Sequence, residues 1–153
     1  MKNLENILQE LEEAIISQEK VNPTVSSSSV GWHIEHSLLV INSVITQMAK
    51  SDPSKYRWSF SFWRMLVFIT NKIPRGKAKA PKVVRPAESV PTNERLIAQL
   101  QLAKQQADVL DTLSPNHYVE HPYFGHLNLQ PTRKFLVIHS QHHLDIIRDI
   151  VEG

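Results

Sequence analysis

Between Pro131 and Val151 the chain carries a helical apolar arc with two histidines set into its middle, which narrows the possible folds more than any other feature. On a helix at about 100° per residue, with Phe135 at zero, the positions Leu136, His139, His143, Ile146, Ile147 and Ile150 fall between roughly 20° and 120°. Arg133, Lys134, Ser140, Gln141, Asp145, Arg148, Asp149 and Glu152 lie elsewhere, and His142 sits at the edge of the arc near Asp149. His139 and His143, four apart, stack on one face one turn from each other. Two imidazoles facing a core are costly unless their nitrogens are satisfied. A metal ion would satisfy both, and it would need a third ligand from another helix.

Three further helical patterns supply candidates. Leu4, Ile7, Leu8, Leu11 and Ile15 repeat at helical spacing within residues 3–19, opposite Glu5, Glu10, Glu12 and Glu13. After the break at Val21-Asn22-Pro23-Thr24, the serines at 26–29 offer N-caps for a second helix that runs to about Lys50. A third begins after Pro91, capped by Thr92 or Asn93, and runs through Leu96, Leu100, Ala103, Ala107 and Leu110 to Leu113. Ser114-Pro115-Asn116 ends it, a loop with Pro122 and Gly125 follows, and Pro131 suits the first turn of the last helix. We find no convincing strand pattern, since Val83-Val84 is too short. The fold expected is all-α, a single domain over 1–153 with four long helices.

The link between the second and third helices, about 40 residues, permits a crossover that lets those two helices run in the same direction. Its aromatic part, Trp58 to Ile73, reads as a short extra helix forming a lid, with a homodimer surface as the alternative. Its basic part holds Lys72, Arg75, Lys77, Lys79, Lys82 and Arg85 with no acid among them. Without these six, 11 basic residues face 15 acidic ones, a net of −4 against +2 for the whole chain. The positive charge is local, and with no interleaved aromatics or nucleic-acid motif a nucleic-acid partner is not expected.

The second helix has two possible third ligands. His36 groups with Val40, Ser43 and Gln47 in a narrow semi-polar stripe, and His33 lies about 60° away, so periodicity does not choose between them. The chain has no cysteine, which excludes disulfides, thiolate metal sites and a cysteine nucleophile. The N-terminus lacks the apolar core of a signal peptide, and the longest apolar stretch falls short of the roughly 20 residues a bilayer requires. A cytoplasmic location with no membrane partner is expected.

The segments Ser29-Val30-Gly31-Trp32-His33-Ile34-Glu35-His36 and His139-Ser140-Gln141-His142-His143 resemble the DinB/YfiT-like superfamily of metal-dependent enzymes. His121-Pro122-Tyr123-Phe124-Gly125-His126-Leu127 looks like the segment before the last helix in one uncharacterised branch. The resemblance implies a four-helix bundle of up-down-down-up topology holding a divalent metal on His36, His139 and His143. In many relatives a small residue and Gln follow the histidine pair, where this chain has Asp145 and Ile146.

Three neutral imidazoles leave open positions on zinc or nickel, and also on iron or manganese, so the site reads as catalytic. A zincin protease would need Glu at position 140, which is serine. The resemblance implies hydrolysis, or transfer of a low-molecular-weight thiol that a small-molecule substrate must supply because the chain has no cysteine. Glu35 and Asp145 are candidate proton carriers or histidine orienters. Arg75, Lys77 and Lys82 are candidates for holding an anionic part of the substrate. The competing reading is a non-enzymatic helical protein, metal-binding or stress-associated.

Overall fold

The computed structural model describes residues 2–153. Helix α1 (Leu4–Ala14) starts at a capping box: Asn6 N–H donates to the Asn3 side chain at 2.9 Å, and the Asn6 side chain accepts from Asn3 N–H. It buries Ile7, Leu8 and Leu11, then tightens into a 3₁₀ turn at Ile15–Ser17, short of the expected residue 19. That change of pitch leaves Ile16 93% exposed.

Helix α2 (Val30–Lys50) is capped by Ser29, whose hydroxyl accepts from Trp32 N–H at 3.1 Å. Gly31 donates its N–H to the Gln18 carbonyl at 2.9 Å, and a Cβ there would lie 3.0 Å from that oxygen. Close approach of the preceding loop therefore favours glycine, since a larger residue would push the Gln18 carbonyl or Pro91 aside by a few tenths of an ångström. Helix α2 is buried on most of its circumference, packing chiefly on α4 (Asn93–Thr112) and α5 (Leu129–Glu152), while α1 packs on the same two. Thr92 caps α4, which buries Leu96, Leu100, Ala103 and Leu110 along one stripe.

The expectation of a four-helix bundle of up-down-down-up topology is corrected. The described residues form five α-helices and a small antiparallel sheet of β1 (Tyr118–His121) and β2 (Gly125–Asn128), in the register Val119↔Leu127 and His121↔Gly125. This hairpin occupies what the sequence showed as a loop. Its strands are four residues long and bury one residue each, Val119 and Leu127, so no alternation long enough to read develops. Gly125, at φ 70°, makes the turn. β1 packs on α2, and the Leu127 carbonyl accepts from the Thr132 hydroxyl of α5 at 3.0 Å.

The remaining helix, α3 (Phe62–Thr70), is capped by Ser61 and ended by Asn71 in the left-handed conformation, φ 53°. The expected lid is also corrected, because α3 fully buries only Val67 and leaves Trp58, Phe60, Phe62 and Trp63 exposed. Besides Val67 and the Phe68 ring, which packs edge-on against Phe124, its anchors are polar: Lys134 donates to the Phe68 carbonyl at 2.7 Å and Arg64 to the Phe124 carbonyl at 3.0 Å. From α3 the chain runs past Asp149 to a 3₁₀ turn at Lys82–Val84, against α2.

Candidate metal centre

Helices α2 and α5 bring four imidazoles into one buried layer. The rings of His36, His139 and His143 form a triangle with centroids 4.7 to 5.1 Å apart. One nitrogen from each ring lies within 4.8 Å of the other two, close enough for a single ion to meet all three. His33 stands behind this group, 5.2 Å from the His143 ring.

Hydrogen bonds divide the nitrogens of each ring. His36 Nδ1 is 2.7 Å from the Val84 carbonyl, so it carries the proton and leaves Nε2 with a free lone pair. The Trp32 ring stacks on His36 at 5.2 Å and limits its rotation. His143 Nδ1 meets His33 Nδ1 at 2.9 Å, and His33 Nε2 meets the Ser26 hydroxyl at 2.9 Å. This leaves Nε2 of His143 as its unbonded nitrogen. In His139, Nδ1 is buried with no hydrogen-bond partner among the described residues. A buried orphan nitrogen is expensive, and a cation is the partner this donor set fits.

Burial keeps the group neutral. It lowers His33 from the ordinary 6.5 to about 4, helped by the charges of His36, His142 and Arg75. Burial also lowers His36, against the opposing effect of its bond to Val84, and holds His139 and His143 well below 6.5 with help from neighbouring imidazoles. Neutral imidazole is the form that binds a metal.

The other residues singled out from the sequence are placed as follows. Glu35 is fully buried on the α4 side of α2, ion-paired with Arg95, and its second oxygen has no partner among the described residues. Asp145 accepts from Gln141 at 2.8 Å and pairs with Arg148 at 3.4 Å. Arg75 pairs with Asp149 at 2.8 Å and lies near enough to act on His33 and His142, while Lys77 and Lys82 are exposed. His142 is half-buried, its ring edge-on to His143 at 5.0 Å. Ser43 and Gln47 bond to each other at 3.0 Å.

His121 was read only as part of a loop. Its Nδ1 accepts from Tyr123 N–H at 3.1 Å and Phe124 N–H at 3.2 Å, its ring stacks on Phe124, and burial lowers it to about 4. The signal available was the turn-forming run after it, His-Pro-Tyr-Phe-Gly. No family model, curated protein or solved structure matches the chain.

These shifts dictate how stability depends on pH. His33 and His121 take up protons near 6.5 when unfolded but only near 4 when folded, so between those values the unfolded state binds more protons. The metal-free protein is therefore expected to keep its full stability above 6.5 and lose it as pH falls towards 4. The expected loss is roughly 2–3 kcal/mol from each of these two histidines by about pH 4.5. Denaturant unfolding at stepped pH checks this, and a flat profile from 7 to 5 would contradict it.

Proposed function

We propose that the chain is a metal-dependent enzyme of the DinB/YfiT-like kind, of hydrolase or small-thiol transferase type, with its divalent ion on His36, His139 and His143. The observation that carries this reading is the donor set: three neutral imidazole nitrogens within 4.8 Å of one another and no carboxylate in the group. Three such ligands leave room for substrate on zinc, nickel, iron or manganese. A divalent ion bound there supplies a Lewis acid that lowers the pKa of a water or thiol brought to it.

The protein's own contribution is orientation. Val84 fixes the tautomer of His36, and His33 fixes the direction of His143. The chain has no cysteine to act as nucleophile, so any thiol comes from the substrate. Glu35 and Asp145 are each held through one oxygen, by Arg95 and by Gln141 with Arg148, so the proton-carrier role proposed for either falls to its other oxygen. Arg75 is the nearest candidate for an anionic substrate group, and binding would compete with its pair to Asp149.

Cobalt-loaded protein distinguishes the chemistries. A spectral shift on adding a small thiol, together with conjugation of an electrophile, identifies a transferase. A shift with turnover of simple esters or amides in water identifies a hydrolase. If neither thiols nor esters and amides move the spectrum, the site is closed and the protein is a non-enzymatic metal-binding one.

A further inference from the structure

The crossover between α2 and α4 presents a surface that water alone does not explain. Helix α3 is amphipathic with its apolar side outward: Phe62, Leu66 and Ile69 share one face at i, i+4 and i+7, with Met65 and Trp63 at its edges. Ile69 is 72% exposed, and Trp58 and Phe60 just before the helix are 68% and 66% exposed. The side turned inward holds Arg64, Val67 and Phe68, which make the anchoring contacts.

Charge says what kind of partner fits. From Pro53 to Ala87 the chain has nine of its seventeen lysines and arginines and none of its fifteen acids. Among the described residues only one of these nine, Arg75, is paired with a carboxylate. Lys55, Lys72, Lys77, Lys79 and Lys82 are exposed, and their amines have no bonding partner among the described residues. The remainder of the chain has 8 basic and 15 acidic residues, a net of −7. The outward apolar face and the uncompensated cations thus belong to one continuous segment.

We infer that this segment docks the protein on the surface of a bilayer containing anionic phospholipid. Trp and Phe rings settle at the boundary between headgroups and acyl chains, the outward aliphatic side chains enter the acyl region, and lysines meet the phosphates. No helix is long and apolar enough to cross a membrane among the described residues, so docking is peripheral. Two copies meeting through this face would oppose like charges. A single-stranded nucleic acid would stack on the rings but has no use for Ile69, Leu66, Met65 or Val83, the last of which is 76% exposed. The surface does not depend on a metal being bound.

The test uses the full chain with vesicles of phosphatidylcholine alone and of phosphatidylcholine with phosphatidylglycerol. Flotation with the anionic vesicles only, accompanied by a blue shift of tryptophan emission and lost in high salt, is the expected result. The triple charge reversal Lys72→Glu, Lys77→Glu, Lys79→Glu should weaken partitioning at least roughly a hundredfold, at about fivefold for each lysine removed. The combination Phe62→Ser, Trp63→Ser, Ile69→Ser should abolish the emission shift; these positions are exposed, and circular dichroism confirms that each variant stays folded. Equal binding to neutral vesicles, no binding to either, or unchanged binding by the serine variant overturns the inference. So does an oligonucleotide that strips the protein from vesicles at equal phosphate concentration. A wild-type dimer that binds no vesicles and that the serine variant loses assigns the face to self-association instead, which also overturns it.

Discussion

Alanine at His143 or His139 is expected to eliminate stoichiometric binding of zinc or nickel, and alanine at His36 to do the same. The loss should exceed the 10- to 100-fold typical when only a group orienting a ligand is removed. His33→Ala should fall within that smaller range, because it leaves all three nitrogens in place and takes away only the partner of His143 Nδ1. His142→Ala should cost less again, its ring touching His143 edge-on without a hydrogen bond to it. Competition with a chromophoric chelator on protein lacking a histidine tag gives the ranking. Normal binding by His36→Ala with loss in His33→Ala would move the third ligand by three residues and reject the assignment.

The second large effect is on stability. Glu35 has no exposure, and its charge is answered by Arg95, which reaches it from α4 and stays 46% exposed. Arg95→Ala would leave a buried carboxylate unpaired, which we expect to cost about 3 kcal/mol, the lower end of the usual range because water already reaches the arginine. Glu35→Leu combined with Arg95→Ala should recover most of that loss, since an apolar side chain of similar size removes the need for a partner. Urea unfolding near neutral pH measures both. An unchanged midpoint for Arg95→Ala would mean that Glu35 does not depend on Arg95, and would reject the pair as a stabilising one.

The elements with long hydrophobic periods were legible in the sequence to within a few residues. The caps are Ser29, one of the four serines the sequence offered, and Thr92 rather than Asn93, and the helix expected to start near Pro131 starts at Leu129. What escaped was short or inverted. The hairpin has only Val119 and Leu127 facing inward, a pattern of one residue per strand, which alternation cannot reveal. Helix α3 has a clear apolar face, and an apolar face normally points inward; here Phe62, Trp63 and Ile69 are exposed, an orientation that helical periodicity by itself does not report. On α2 the wheel left His33 and His36 both open, and both are used: His36 lies in the cluster and His33 backs His143. Glu35 could not be placed from its position beside His36, because adjacent residues on a helix point about 100° apart and Arg95 is 60 positions away.

The bond from His36 to the Val84 carbonyl ties the tautomer of one imidazole to main chain rather than to a side chain. Any residue but one that displaces the backbone supplies the same oxygen, so position 84 is answerable only for the shape of the strap and for the apolar contact its buried side chain makes. A substitution scan would register Val84 as a packing residue and miss what its carbonyl does. The strap, residues 76–83, can therefore exchange nearly all of its letters and still present the same oxygen to His36, because what holds the ring is the path of the main chain and not the side chains along it.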